Sequence, residues 1–199
     1  MEQLARLLLI GSAMRNGCPK QRGYTLVELM IVVAIIGVLA TLATYGVRKY
    51  ILAAKTSEGV EMLRAIKEAE ELYRQETFQY LPTSTGVGTS YFPWGATVPK
   101  GGSKMNFACS TCIEPQAAFS SLNVTTNHPV QFGYEVITGV AGTAPVAHPE
   151  WGTPAAGMPA SPGDIWYVAY ATADIDGDGE ALVYAGTSFT TEILSNNKN

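Results

Sequence analysis

Nineteen consecutive residues, Leu29 to Val47, carry no charge, and the residue immediately before them is Glu28. An apolar helix of about 20 residues matches the hydrocarbon core of a bilayer. A carboxylate inside that core costs about 2.5 to 3.5 kcal/mol on insertion scales. Glu28 therefore needs a partner, and the run behind it fixes a membrane segment before anything else in the chain is considered.

What remains of 199 residues suffices for one modest soluble domain beyond that segment. Charge is divided unevenly: residues 1–23 carry four Lys/Arg and one Glu, net +3, and the rest carries nine basic and sixteen acidic residues, net −7. An acidic body offers no general footprint for nucleic acid. Arg15, Lys20 and Arg22 precede the run and favour a cytoplasmic N-terminus, although Arg48 and Lys49 follow it closely and blunt the charge rule. A secretory signal fits less well, because its apolar centre is short and lies before the cut, whereas here a polar leader precedes the run. Met14 is a candidate true start, giving a compact basic leader ending at Gly23. Cys18 falls within that leader.

No proline occurs between Tyr24 and Tyr80, so one helix is expected across both parts, about 80 Å long at 1.5 Å per residue. Past Arg48 the pattern becomes one-sided. Gly59, Met62, Ile66, Ala69 and Tyr73 recur at spacings of three and four, and Leu63 and Leu72 widen the stripe. Glu61 with Arg64, Lys67 with Glu71, and Glu70 with Arg74 stand at helical contact spacing and read as a solvated face worth about 0.2 to 0.5 kcal/mol per pair. Gly37 and Gly46 interrupt the helix, as small residues often do in membrane segments. The aromatic residues Tyr24, Tyr45, Tyr50, Tyr73, Phe78 and Tyr80 read as packing residues rather than an electron path.

After Leu81-Pro82 helical periodicity ends and a β-rich head is expected. Val130–Thr138, Ile165–Ala173 and Ala181–Phe189 are the clearest strands, rich in β-branched and aromatic residues. In the first, Phe132, Tyr134 and Val136 alternate with Gln131, Gly133 and Glu135, so one face covers the helix and the other meets water. Val87–Gly102 and Gly139–Gly163 read as long surface loops. The fold class is α+β, and the divisions fall at a leader (1–23), an apolar helix (24–47), its amphipathic continuation (48–82) and a β-rich head (83–199).

Three patterns carry candidate chemistry. Asp174, Asp176 and Asp178 alternate with Gly177 and Gly179, an arrangement able to present oxygen ligands to calcium. The twelfth position is Ala185 rather than a bidentate glutamate, so a plain Asp-Gly turn between antiparallel strands stands beside the metal reading. Cys109 and Cys112 form a CxxC, which in an exported domain points to a short disulfide, with redox chemistry second. Zinc would need two more ligands, and the available His128 and His148 each sit beside proline in a loop and read as exposed. Asn123-Val-Thr125 matches a glycosylation acceptor, a short pattern frequent by chance. No nucleophile-base-orienter set and no phosphate-cradling glycine loop stands out, so no enzymatic activity is expected and no certain cofactor is implied.

The stretch Gly23-Tyr24-Thr25-Leu26-Val27-Glu28 and the apolar run behind it together resemble the N-terminal region of type IV pilins and their relatives. The motif combines a glycine at a cut, a glutamate fifth after it, and an apolar run in fixed register. It covers residues 23 to about 60. Beyond them the resemblance is one of architecture, a long helix followed by a β-rich head. It implies that a prepilin peptidase cuts between Gly23 and Tyr24 and methylates the new amino group of Tyr24, where most members carry phenylalanine or methionine. It implies a helical homopolymer in which Glu28 neutralises the amino terminus of a neighbouring subunit, an inner-membrane prepilin with a periplasmic head, and a surface filament after assembly. An assembly platform and a motor ATPase are indirect partners, and adhesion or twitching motility is the expected use. The family's loosened helix runs from a glycine matching Gly37 to a proline where Tyr45-Gly46 stands here. The family's C-terminal disulfide loop has no counterpart, since Cys109 and Cys112 are far from the end.

Two rivals remain. One is a pseudopilin of a type II secretion system, which the aspartate cluster fits. The other is a membrane-anchored periplasmic calcium-binding or redox domain that never polymerises, which the placement of Glu28 argues against.

Overall fold

The computed structural model describes residues 23–108, 113–151 and 158–196. Among these, α1 (Leu26–Thr77) and α2 (Ile113–Ser121) precede a sheet of β1 (Gly133–Gly139), β2 (Trp166–Ala173), β3 (Leu182–Thr187) and β4 (Ile193–Ser195). The strands run in the spatial order β1-β2-β3-β4, every neighbouring pair antiparallel. This is the expected α+β architecture of a long helix and an antiparallel sheet. The chain divides into two units, one ending at Tyr45 and one beginning at Gly46.

In the first unit the helix begins where its sequence provides a start. Thr25 and Glu28 hold the first turn in a reciprocal arrangement taken up below, and the side chains from Leu26 to Leu42 are exposed. α1 is long and apolar enough to cross a membrane. Thr41 and Thr44 return their hydroxyls to the carbonyls of Val38 and Thr41, so both threonine hydroxyls of the run are satisfied within the helix.

In the second unit α1 buries Gly59, Leu63, Ile66 and Glu70, a stripe spaced four, three and four. Leu63 and Ile66 contribute about 1.5 to 3 kcal/mol each by leaving water. Gly59 permits a close approach, since a Cβ there would meet the Phe132 ring at 3.0 Å. Leu72, expected to widen the stripe, is exposed instead, because Glu70 takes the inward position. The helix ends at Thr77. Phe78, at φ 60°, donates its N–H to the Arg74 carbonyl at 2.8 Å, adopting the left-handed cap usually given to glycine.

Of the expected solvated pairs, Glu61 and Arg64 are exposed, whereas Glu70 and Arg74 turn to other partners in the head. Glu70 is fully buried and accepts the Leu81 N–H at 3.0 Å, bracing the chain as it turns out of α1. Burial pushes its carboxyl up to about 7, the Leu81 N–H opposing the shift and Glu71 adding to it. Arg74 pairs with Asp164 and the Tyr80 hydroxyl, and Glu71 accepts from that hydroxyl at 3.1 Å.

The sheet is buried on both faces. Tyr134, Val136, Tyr167, Ala169, Ala171 and Leu182 join Leu63 and Ile66 in the larger core. On the other face Trp166, Val168, Tyr170, Val183 and Ala185 form a second cluster under Val87, Trp151, Met158 and Phe189. The expectation that one face meets water is therefore corrected: Gln131 and Glu135 are buried. The reason is that the glycine- and proline-rich segments are not merely surface loops. Tyr91 and Phe92 are buried, and Phe92 exchanges both backbone hydrogen bonds with Tyr134 at 2.8 Å, filling the open edge of β1. Two elements have no sequence expectation behind them. β4 is three residues long, and α2 carries Pro115 in its first turn, where a missing N–H costs nothing. Asn123, at φ 55°, closes α2, and Phe119 and Leu122 enter the larger core.

The aromatic residues in and beside α1 divide: Tyr80 is buried and Tyr73 packs against the core, while Tyr24, Tyr45, Tyr50 and Phe78 are exposed in the single chain.

Candidate functional site

The N-terminal segment is built from a local instruction. Thr25 is the residue before the helix, and its Oγ1 accepts the Glu28 N–H at 3.2 Å. Glu28 Oε2 in turn accepts from the Thr25 N–H and the Thr25 hydroxyl, each at 2.8 Å. This is a capping box, which satisfies first-turn donors that otherwise lack a helical partner. The carboxylate also sits at the positive end of the helix dipole. Sequence reasoning did not find this role for Glu28, although the signal, Thr-x-x-Glu, was present. Gly23 and Tyr24 lie outside the helix and are exposed, so the peptide bond between them is accessible.

The capping box employs one carboxylate oxygen. Glu28 Oε1 makes no hydrogen bond among the described residues and remains available to a cation. Holding the first turn and attracting a positive charge are thus compatible uses of one side chain.

The aspartates lie in the eight-residue connection from β2 to β3. One carboxylate oxygen from each of Asp174, Asp176 and Asp178 lies within 4.8 Å of the others, a separation that oxygens about 2.3 to 2.6 Å from a shared calcium ion can span. The same loop is also internally satisfied. Asp174 accepts the Gly177 N–H at 2.7 Å and the Gly179 N–H at 3.1 Å, and Asp178 accepts the Glu180 N–H at 2.7 Å. Gly177 and Gly179, at φ 82° and 94°, give the loop a path open to few other residues. Asp174 is buried and anchored through its backbone to Pro99 and Gly101, whereas Asp176 and Asp178 are exposed. Each carboxylate oxygen keeps further lone pairs, so the residues fit either a turn or a turn that also holds a cation.

Cys109 and Cys112 lie outside the described residues, and so does the expected bond between them. His128 is exposed, as its place beside proline suggested. His148 is not: it is fully buried, and the expectation of an exposed loop histidine is corrected. Its Nδ1 accepts the Glu150 N–H at 3.2 Å, which leaves Nε2 to carry the proton in the neutral ring. Nε2 lies 3.2 Å from the Thr172 hydroxyl, 3.4 Å from the Tyr91 hydroxyl and 3.6 Å from Glu135 Oε1. Glu135 accepts the Gly88 N–H on both oxygens, at 2.9 and 3.0 Å. Burial lowers His148 to about 4 and raises Glu135 to about 7. This junction ties both long connections onto the outer face of the sheet, a structural role that no spacing in the sequence foretells.

Comparison with known proteins locates the similarity in the N-terminal segment. Residues 18–44 match a family described as the prokaryotic N-terminal methylation motif. A type IV major pilin protein PilA of Myxococcus xanthus is 40% identical over 70 residues, which are 35% of this chain and 32% of that protein. A type IV major fimbrial protein FimA of Dichelobacter nodosus is 51% identical over 47 residues, 24% of this chain and 29% of the relative. A fimbrial protein of Pseudomonas aeruginosa is 38% identical over 71 residues, 36% of this chain and 46% of the relative. The chain thus spans less than half the length of each of these three relatives. No solved structure matches.

Proposed function

We propose, for a chain that belongs to the type IV pilin family by its N-terminal segment, that it is a structural subunit of a type IV pilus filament, used in adhesion or twitching motility. The observation that carries this reading is the Thr25–Glu28 box at the head of an exposed, uncharged helical run, in the segment shared with the pilins. A prepilin peptidase cuts after Gly23, and the ammonium left on Tyr24 exists only from that moment. In a helical stack Glu28 Oε1, free of the cap, faces the ammonium of a neighbour, and their attraction in a low-dielectric core offsets the cost of removing both from water. Processing and assembly are linked in this way. The apolar run holds the subunit in the inner membrane beforehand and packs against other copies afterwards. A head-to-tail contact that does not close on itself extends as a filament.

Variants separate the two uses of Glu28. Thr25→Ala removes the reciprocal cap and keeps the carboxylate, while Glu28→Gln keeps an acceptor and removes the charge. Normal filament yield with Glu28→Gln, beside loss with Thr25→Ala, would reduce Glu28 to a capping residue and overturn the assembly role.

The convergence of Asp174, Asp176 and Asp178 supports a structural calcium ion that rigidifies the β2–β3 connection. It also favours a second reading, a pseudopilin of a type II secretion system. Calorimetric titration with calcium, and thermal unfolding with and without chelator, test the ion: no heat and no shift remove it. A chain present in sheared surface filaments supports the pilus, and one confined to the cell envelope supports the second reading.

A further inference from the structure

The uncharged run ends at Val47, and α1 continues past it with a different set of side chains. Arg48 and Lys49 follow at once and are exposed, and Tyr50 and Ile51 come next, 77% and 47% exposed. Nothing in the packing of the head calls for an open tyrosine here. A ring with one polar tip is the kind of side chain that membrane–water boundaries favour.

The head closes on this stretch from one side. A crevice of about 290 Å³ lies between α1 and the segment carrying Lys104, and its walls are ordered by polarity. Tyr50, Ile51 and Ala54 line it nearer the run, and Lys55, Glu58 and Lys104 line it farther away. Lys55 is half-buried, and its ammonium lies against Gly102, where a Cβ would come within 2.8 Å of it. Glycine at that position keeps the space the ammonium fills. Among the described residues no carboxylate stands within ion-pair distance of Lys55. Glu58 accepts the Gln131 N–H at 2.6 Å on one oxygen and lies 3.7 Å from the Lys104 ammonium with the other. The one carboxylate of the crevice is thus engaged twice, and positive charge is in excess. Lys100 stands apart from this set, since its neighbour Gly101 is tied to Asp174 and the aspartate turn.

Depth along the helix matches the polarity. At 1.5 Å per residue, Tyr50 and Ile51 stand about 4.5 to 6 Å beyond Val47, and Lys55 about 12 Å. The headgroup layer occupies about 5 to 7 Å on each side of the hydrocarbon core. The apolar end of the crevice falls within that layer and Lys55 just above it, with a Cα–Cβ bond that tilts toward the helix N-terminus and so toward the bilayer. Apolar below and cationic above is the order of a phospholipid read from its chains to its phosphate. A soluble anion would engage the two ammoniums and leave Tyr50 and Ile51 in water. A zwitterionic lipid would bring a further ammonium to a site that already has two.

We propose that this crevice binds the headgroup of an anionic phospholipid in the leaflet facing the head, with Lys55 and Lys104 on the phosphate and Tyr50 and Ile51 against the upper acyl chain. The inference deepens the reading of a membrane-held subunit and rests on it.

The test uses the full chain reconstituted in vesicles of phosphatidylcholine, alone or with a minority of phosphatidylglycerol. Flotation reports insertion, and spin-label EPR then compares the association of spin-labelled phosphatidylglycerol and phosphatidylcholine with the protein. The chain should favour phosphatidylglycerol about threefold or more. Lys55→Met and Lys104→Met, which keep the apolar stem, should each reduce that preference about twofold or more, and Lys67→Met, farther along α1, should leave it unchanged. Lys104→Met carries the comparison alone if Lys55→Met does not fold. Equal association of the two lipids overturns the proposal. So does a preference that both variants retain, since Arg48 and Lys49 would then account for it without the crevice, and so does an equal fall in Lys67→Met. A chain that floats with neither vesicle removes the membrane reading and this site with it, whereas flotation without lipid preference removes the site alone.

Discussion

The two halves of α1 are one helix by backbone and two different objects by chemistry. From Leu26 to Leu42 the large apolar side chains lie open, Ile31 at 55% and Leu42 at 66% exposed, and none of the described residues covers them. From Gly59 to Glu70 the same helix buries Leu63 and Ile66 completely beneath the sheet. The trailing half owes its stability to its own head. The leading half presents an apolar surface long enough to cross a membrane, and in the proposed subunit lipid or other copies cover it. An uncharged helix exposed on all sides is unsuited to water, so its surroundings follow from its composition.

The largest expected effect breaks the leading half. Leu39→Arg places a charge in mid-run, at about 2.5 to 3.5 kcal/mol on insertion scales. It should release the chain from the membrane fraction while leaving the thermal unfolding of the head unchanged. Retention in the membrane fraction would count against a bilayer-spanning role.

Next in size is the trailing half. Ile66→Ala should cost the head about 2 to 5 kcal/mol, read by thermal or urea unfolding, because the sheet cannot collapse onto the space left behind. Membrane partitioning should not change. A variant that altered both would show that the halves are not separate.

A third test is pH. Glu70 and Glu135 have folded values raised from 4.5 to about 7, so the stability they give is fully present below about 4.5 and lost as pH rises through 7. His148 is lowered from 6.5 to about 4, so its contribution is present above 6.5 and lost as pH falls through 4. From 4.5 to 6.5 the two carboxyls lose more than the one histidine gains, so these three groups together place the head's greatest stability near about pH 4.5. Glu70→Gln and Glu135→Gln should each flatten the alkaline limb in a denaturation series, and an unaltered limb in both would remove these carboxyls as its cause.

The smallest effect is the cap. Thr25→Ala should cost about 0.5 to 2 kcal/mol, confined to the first turn and visible as faster amide exchange at Leu26 to Glu28. The head should not notice.

Much of this architecture was legible in the sequence because its signals are local and periodic. The uncharged run, the proline-free span and the stripe through Leu63 and Ile66 all depend on spacing along one element. The strand centres around Tyr134, Tyr170 and Val183 were visible for the same reason. What escaped depends on which surfaces meet. Glu70 looks like a solvated residue until the backbone of Leu81 folds back onto it. His148, flanked by proline in a loop, becomes a core residue only because its segment closes over β1 and β2. The capping box differs from these, because its signal, Thr-x-x-Glu, is local and stands in the sequence at Thr25 and Glu28.

The central claim is that the charge of Glu28, beyond its cap, drives assembly with a neighbour's processed N-terminus. Sheared-surface yield measures this directly when Glu28→Gln and Thr25→Ala are compared in the same cells with processing checked by intact mass. The expected result is a processed Glu28→Gln subunit that remains in the membrane without filaments, beside a Thr25→Ala subunit that still assembles. Filaments at normal yield from Glu28→Gln would contradict the account.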